Sequence, residues 1–214
     1  LEKSRATANL HEADAFAAKA AEIIARHRLD PARLAPRQSD GLGVREIPLG
    51  RGAYVRARLA LLSAVVSAHD AEVVFGATPN GTIAYVAGFD ADLDVIELMY
   101  SSLHAQASSR MAAERRGTAA ATQRFRRSFL FGYAERIAAL LAESRRVAEA
   151  ATVRSFGSPN SPALLERQRR VERFAAESFG RVRKARAPGA ASESGWRAGA
   201  TAADRADVGR ARLA

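Results

Sequence analysis

The chain has no cysteine, which removes a disulfide framework, a thiolate zinc site and a thiol nucleophile together. Aromatic residues are scarce, with 9 Phe, 4 Tyr and 1 Trp among 214 residues, and there are only 2 Met. Of the 48% hydrophobic content, 49 residues are alanine, so large apolar side chains are few. They suffice for one modest core, as chains of roughly 100–200 residues usually have. No stretch approaches the roughly 18 consecutive apolar residues of a membrane span, and the first residues do not read as a charged-then-apolar leader. The expected compartment is the cytoplasm, with no membrane partner. The opening residues from Leu1 already read as helical, so the natural product is expected to begin upstream. Lysine is also rare: Lys3, Lys19 and Lys184 are the only lysines among 33 basic residues. Heavy use of Ala and Arg together fits a GC-rich genome better than selection for bidentate phosphate contacts.

Basic charge is missing from one long interval. Residues 59–109 contain no Lys or Arg but hold Asp70, Glu72, Asp90, Asp92, Asp94 and Glu97. Residues 1–120 carry 14 basic and 14 acidic side chains, and residues 121–214 carry 19 and 9, so the whole net charge of +10 belongs to the second part. On this reading the molecule is electrically two-ended.

Along the chain, Asn9 and Glu12 have capping-box spacing, and Phe16, Ala20, Ile23, Ile24 and His27 recur at helical intervals, which predicts a helix over 10–28. Pro36, Gly41, Gly43, Pro48, Gly50 and Gly52 punctuate residues 35–52, read as a linker. Val55, Leu59, Leu62 and Val66 give a helix over 53–69. Two short β-like runs, 71–75 and 82–89, flank Thr78-Pro79-Asn80-Gly81 and predict a hairpin turning at Asn80-Gly81. A helix follows over 92–116, with Ile96, Met99, Leu103, Ala107 and Met111 on one face. Another covers 122–151, with Phe125, Phe129, Tyr133, Ile137, Leu140 and Val147. Ser161-Pro162 starts a helix to 179, and helix potential returns near 196–208.

The run HEADAFAAKAAEIIARHRLD, residues 11–30, resembles the opening of the bacterial and phage family known as domain of unknown function 2786. The downstream pieces RARLALLSAVVSAHD, YVAGF, DVIELMYSSLHAQA, RFRRSFLFGYAERIAALL and GWRAGATAADRADVG look like the companion domain usually found behind it. The resemblance implies an intracellular two-part architecture and brings no activity or catalytic residues.

Candidate chemistry is thin. His11 and His27 stand 16 residues apart on one expected helix, roughly 24 Å, too far to share a metal. His69 with Asp70 ends a helix, where an imidazole suits the negative end of the dipole, and His104 could approach it through folding. Asp90, Asp92 and Asp94 alternate as a calcium loop begins, but that loop needs Gly sixth and Glu twelfth, where Val95 and Ser101 stand. These carboxylates suit the first turn of a helix instead. Phosphate-binding glycine loops, a nucleophile elbow and a His-Glu-x-x-His helix are absent. No metal, cofactor or catalytic residue is expected.

The basic residues are the strongest surface signal. Arg124, Arg126 and Arg127 interleave with Phe125 and Phe129 at a helix start, where the dipole disfavours cations unless an anion is present. Arg167, Arg169, Arg170, Arg173, Arg181, Arg183, Lys184 and Arg186 form a second stripe. Counterion release from phosphates would let such a stripe bind nucleic acid with steep salt dependence. The bland alternative, a solvated face and basic tail, has equal weight.

The expected fold is α+β, mainly α: an N-terminal helical unit (1–34), a linker (35–52), a core of helix, β-hairpin and long helices (53–186), and an Ala/Gly-rich C-terminal extension (187–214). The expected function is non-enzymatic binding to the DNA or RNA phosphate backbone through those eleven basic residues. The alternative is a protein-interaction adaptor with separate acidic and basic faces, including head-to-tail self-association. An uncharacterised hydrolase stands third.

Overall fold

The computed structural model describes residues 41–156, 162–183 and 191–208. The expected helix over 10–28, the whole 1–34 unit, Lys184 and Arg186 lie outside the described residues.

The elements run β1 (Leu42–Gly50), α1 (Val55–Ala68), β2 (Glu72–Thr78), β3 (Gly81–Phe89), α2 (Asp90–Ala112), α3 (Ala119–Phe156), α4 (Pro162–Phe179) and α5 (Glu193–Ala203). This is the mainly helical α+β chain that the switch between periods near 2 and 3.6 predicts. The three strands pair antiparallel in the order β1-β3-β2.

The linker reading fails over 42–50, which is the edge strand β1. Its prolines and glycines disguised it, yet Pro48 costs nothing on an edge, where one side of the strand has no partner to receive an N–H. Ile47 and Leu49 alternate into the core, and the register shifts between Pro48 and Gly50 before the last pair, Gly50 with Thr82. The hairpin over 72–89 forms, but its connecting residues are Pro79 and Asn80, because Thr78 pairs with Gly81. A turn of type I′ needs positive φ at both central residues, and Pro79 is locked near −65°. Gly81 takes φ +130° in their place. A Cβ there would fall 2.8 Å from the Gly50 carbonyl oxygen, so glycine serves both backbone angle and close approach.

One face of the sheet packs on the helices. Ala84 and Val86 of β3 join Ile47 and Leu49, the α1 stripe Leu61, Leu62, Val65 and Val66, and the α2 stripe Leu93, Ile96, Tyr100 and Leu103. Burying each large apolar side chain contributes about 1.5–3 kcal/mol. Met99 and Met111 lie at the edge of the α2 stripe, only partly buried. On α3, Phe125, Phe129, Tyr133, Ile137 and Leu140 are buried at the expected spacing, while Val147 is 57% exposed. The opposite face of the sheet is covered by α4 over β3 and β2, with Val171 and Ala175 buried.

Residues 191–208, read as part of a C-terminal extension, are a core element. Ala202, Ala203 and Val208 belong to the central cluster. Gly195 and Gly199 lie against the α3 backbone at Phe125 and Phe129, and Gly132 receives the backbone of Trp196 in return. Helices can approach this closely only where neither has a Cβ at the contact.

Candidate nucleic-acid interface

The basic residues divide by what their guanidinium groups already hold. Arg126, in the second turn of α3, donates from Nε to the Glu114 carbonyl at 3.0 Å and from Nη2 to the Ala112 carbonyl at 2.9 Å. These carbonyls stand at the C-terminal end of α2, where a cation is favourable. The negative partner that an arginine at a helix start calls for is therefore the preceding helix. Arg127 is half-buried, and its Nε has no hydrogen-bond partner. Arg124 is exposed. Beside them, Arg116 stacks over the Phe125 ring with its central carbon 3.6 Å from the centroid.

On α4, Arg167 faces inward. Its Nη2 donates to Asp92 Oδ2 at 2.9 Å while the guanidinium lies 3.5 Å over the Phe89 ring, so it fastens α4 to the end of β3 and the start of α2. Arg170 also reaches the Phe89 ring, at 5.0 Å, but is exposed. Arg173 pairs with Glu166 at 2.9 Å in an exposed bridge. Arg169, Arg181 and Arg183 are exposed. The structure thus gathers Arg169, Arg170 and Arg173 on the solvent face of α4, continues to Arg181 and Arg183, and assigns Arg126 and Arg167 to holding elements together.

The acidic interval is not a free pole. Arg45 of β1 donates to Glu97 Oε2 at 2.6 Å and Asp94 Oδ1 at 2.8 Å, Arg167 takes Asp92, and Arg145 of α3 reaches Asp70 at 2.5 Å. The two carboxylates raise the Arg45 pKa above its ordinary value, chiefly through these hydrogen bonds. The two-ended reading is corrected: arginines outside the interval fold back onto four of its six acids. Arg45 and Arg145 were not singled out in the sequence; a strand arginine facing inward beside a helix rich in Asp was the available signal.

Of the four histidines, His69 and His104 lie among the described residues. His69 is buried at the end of α1. His104 stacks on Tyr100, 5.8 Å between centroids, and burial together with nearby Arg58 lowers its pKa. Among the described residues no group of three or more His, Asp or Glu side chains is placed to hold a metal ion. A groove of about 780 Å³ runs between α1 and α3, walled by alanines and serines with Phe131, Leu141 and Trp196. Trp196 Nε1 donates to Glu135 at its rim. None of these groove residues was read from the sequence as a site. No helix among the described residues is long and apolar enough to cross a membrane.

In comparisons with known proteins, residues 1–30 match the family described as Protein of unknown function (DUF2786). The match stops before the described residues begin. No curated protein and no solved structure matches the chain.

Proposed function

We propose that the chain is a cytoplasmic, non-enzymatic nucleic-acid-binding protein that contacts phosphate through the exposed arginines of α4 and the residues following it. The observation that carries this reading is the row Arg169, Arg170, Arg173, Arg181 and Arg183, all exposed, on a chain of net charge +10. Arg124 belongs to the same set, and Lys184 and Arg186 extend it in sequence. Among the described residues Phe75 is the one exposed aromatic, which favours backbone contact over base stacking, hence weak sequence preference. The rival adaptor reading is weakened because its acidic face is largely engaged within the chain. We also read the described domain as the companion that follows the matched family in bacteria and phage; the order and spacing of its pieces support this.

The test is a salt-titrated binding measurement with single- and double-stranded DNA and RNA. Each phosphate contact contributes a slope of about −0.9 on duplex and about −0.7 on single strands. Replacing Arg169, Arg181 and Arg183 together by Ala should flatten that slope by about 2–3 while leaving thermal stability unchanged. R126A should do the reverse, lowering stability with little effect on the slope. Absence of binding to all four ligands at low salt overturns the reading and puts the adaptor first.

A further inference from the structure

The two edges of the sheet are not equivalent. β1 carries Pro48, which has no N–H to offer, and its register shifts just after that residue. Prolines and irregular pairing are means by which a free edge is kept from joining another chain. β2 has neither. Its residues Glu72–Thr78 include no Pro, Lys or Arg, and they pair with β3 without a register shift. None of them is fully buried, and among the described residues β3 alone hydrogen-bonds to their backbone. Phe75, at the middle of the strand, is 37% exposed even with the Arg56 guanidinium 5.0 Å from its ring. The two ends of this edge carry opposite charges. Glu72 is exposed and makes no ion pair with a described residue. Arg51, also exposed, stands at the other end and donates to the carbonyl of Pro79, the residue after Thr78. Both charges lie on one face of the sheet. Thr78 shares the face of Glu72 by the alternation of the strand, and a Cβ on its partner Gly81 would lie 3.1 Å from the Arg51 side chain.

We propose that β2 pairs with β2 of a second copy of this chain, antiparallel and centred on Phe75, so that two three-stranded sheets become one sheet of six. An edge with a carboxylate at one end and a guanidinium at the other is complementary to itself only when two copies run antiparallel about a twofold axis. In this register Phe75 faces Phe75, Val73 faces Ala77 and Glu72 faces Thr78, which brings Glu72 of each copy beside Arg51 of the other. The aromatic pair covers the ring that the single chain leaves exposed. An extended peptide from another protein would satisfy the strand backbone but has no reason to answer both charges, which favours the second copy. Pairing along so short a strand belongs to the small end of interfaces, so the dimer is weak and depends on concentration.

Within one chain Glu72 and Arg51 are separated by the length of β2, about 20 Å, well beyond the screening length of about 8 Å in physiological salt. They can therefore influence each other only across two copies. Sedimentation equilibrium of the full chain, without nucleic acid, should show a monomer and dimer in exchange. E72R or R51E alone should weaken the dimer about tenfold, because the twofold axis repeats each like-charge contact. The double variant E72R/R51E should return it to within about twofold of the unaltered chain, since the exchanged charges attract again. A monomer at every concentration overturns the proposal and leaves the edge to a strand of another protein. A dimer that the single reversals leave unchanged, or that the double variant does not restore, overturns it as well. The absence of cysteine allows a second readout. F75C places one thiol on the twofold axis, where opposed Cα atoms stand about 4.5–5.5 Å apart, a separation that a disulfide spans. Under mild oxidation F75C should crosslink to itself at least tenfold faster than V44C, whose position on β1 is 42% exposed; equal rates overturn the pairing.

Discussion

Tyr133 is fully buried on α3, and its hydroxyl has no hydrogen-bond partner. A buried polar group left unpaired costs about 1–3 kcal/mol, so Y133F should raise stability by about 1 kcal/mol in denaturant unfolding. Burial also pushes the phenol pKa up to about 12, against a weaker opposing pull from Arg110. An unfolded tyrosine ionises near pH 10. The neutral phenol's contribution is therefore complete below about pH 10 and lost as pH rises toward 12. Stability of the unaltered protein should fall more steeply over that interval than that of Y133F; parallel curves would mean that Tyr133 is not the group responsible. Gly199 makes the opposite case, a residue that matters by what it lacks. A Cβ there would strike the Phe129 carbonyl oxygen and approach the Tyr133 amide, neither of which can rotate aside. Overpacking costs about 1–3 kcal/mol, and G199A should lie at the top of that range by thermal unfolding. Core aromatics such as Phe125, Phe129 and Tyr133 were legible from their spacing. Gly195 and Gly199 were not, because small residues in an Ala-rich stretch look the same in a tail and in a tight helix contact.

Among the elements, the helices and the hairpin declare themselves through apolar period and turn chemistry, while β1 does not. Its glycines and Pro48 are signals of a loop, and only the pairing with β3 makes a strand of them. The seat of α4 was equally hidden, since it depends on Arg167 meeting Phe89 and Asp92 from 75 residues away. The Arg167–Asp92 pair is partly buried, so its worth lies at or above the upper end of the about 0–1 kcal/mol of an exposed pair, and a stacked guanidinium contributes about 0.5–2. R167A should thus cost about 1–2 kcal/mol and raise amide exchange throughout α4. R167K keeps the charge but loses the planar stack, so it should recover only part of the loss. Full recovery by Lys would assign the anchor to charge alone.

For the whole molecule, the charge census of the sequence reads correctly as a sum and incorrectly as a map. Residues 59–109 lack any base, yet in space Arg45, Arg145 and Arg167 supply three. Pairings across 49 to 75 residues cannot be read from local pattern, so the exposed arginine set was legible in composition and its internal neutralisation was not. Closure of the core depends on α5 in the same long-range way, with Arg110 donating to the Ala202 and Arg205 carbonyls. A chain ending at residue 190 should lose its cooperative unfolding transition, and a sharp transition in that truncated chain would show that α5 is dispensable. The seat of α5 also sets a timetable during synthesis. At about 5–20 residues per second, the three strands are complete once Phe89 has emerged, but Phe129 then waits for Gly199, roughly 4–14 seconds later at the same pace. Throughout that interval the nascent chain presents a finished sheet and an aromatic helix that α1 can cover on one side only. The ribosome exit, or a chaperone stationed there, is where this protein is most exposed to misassembly.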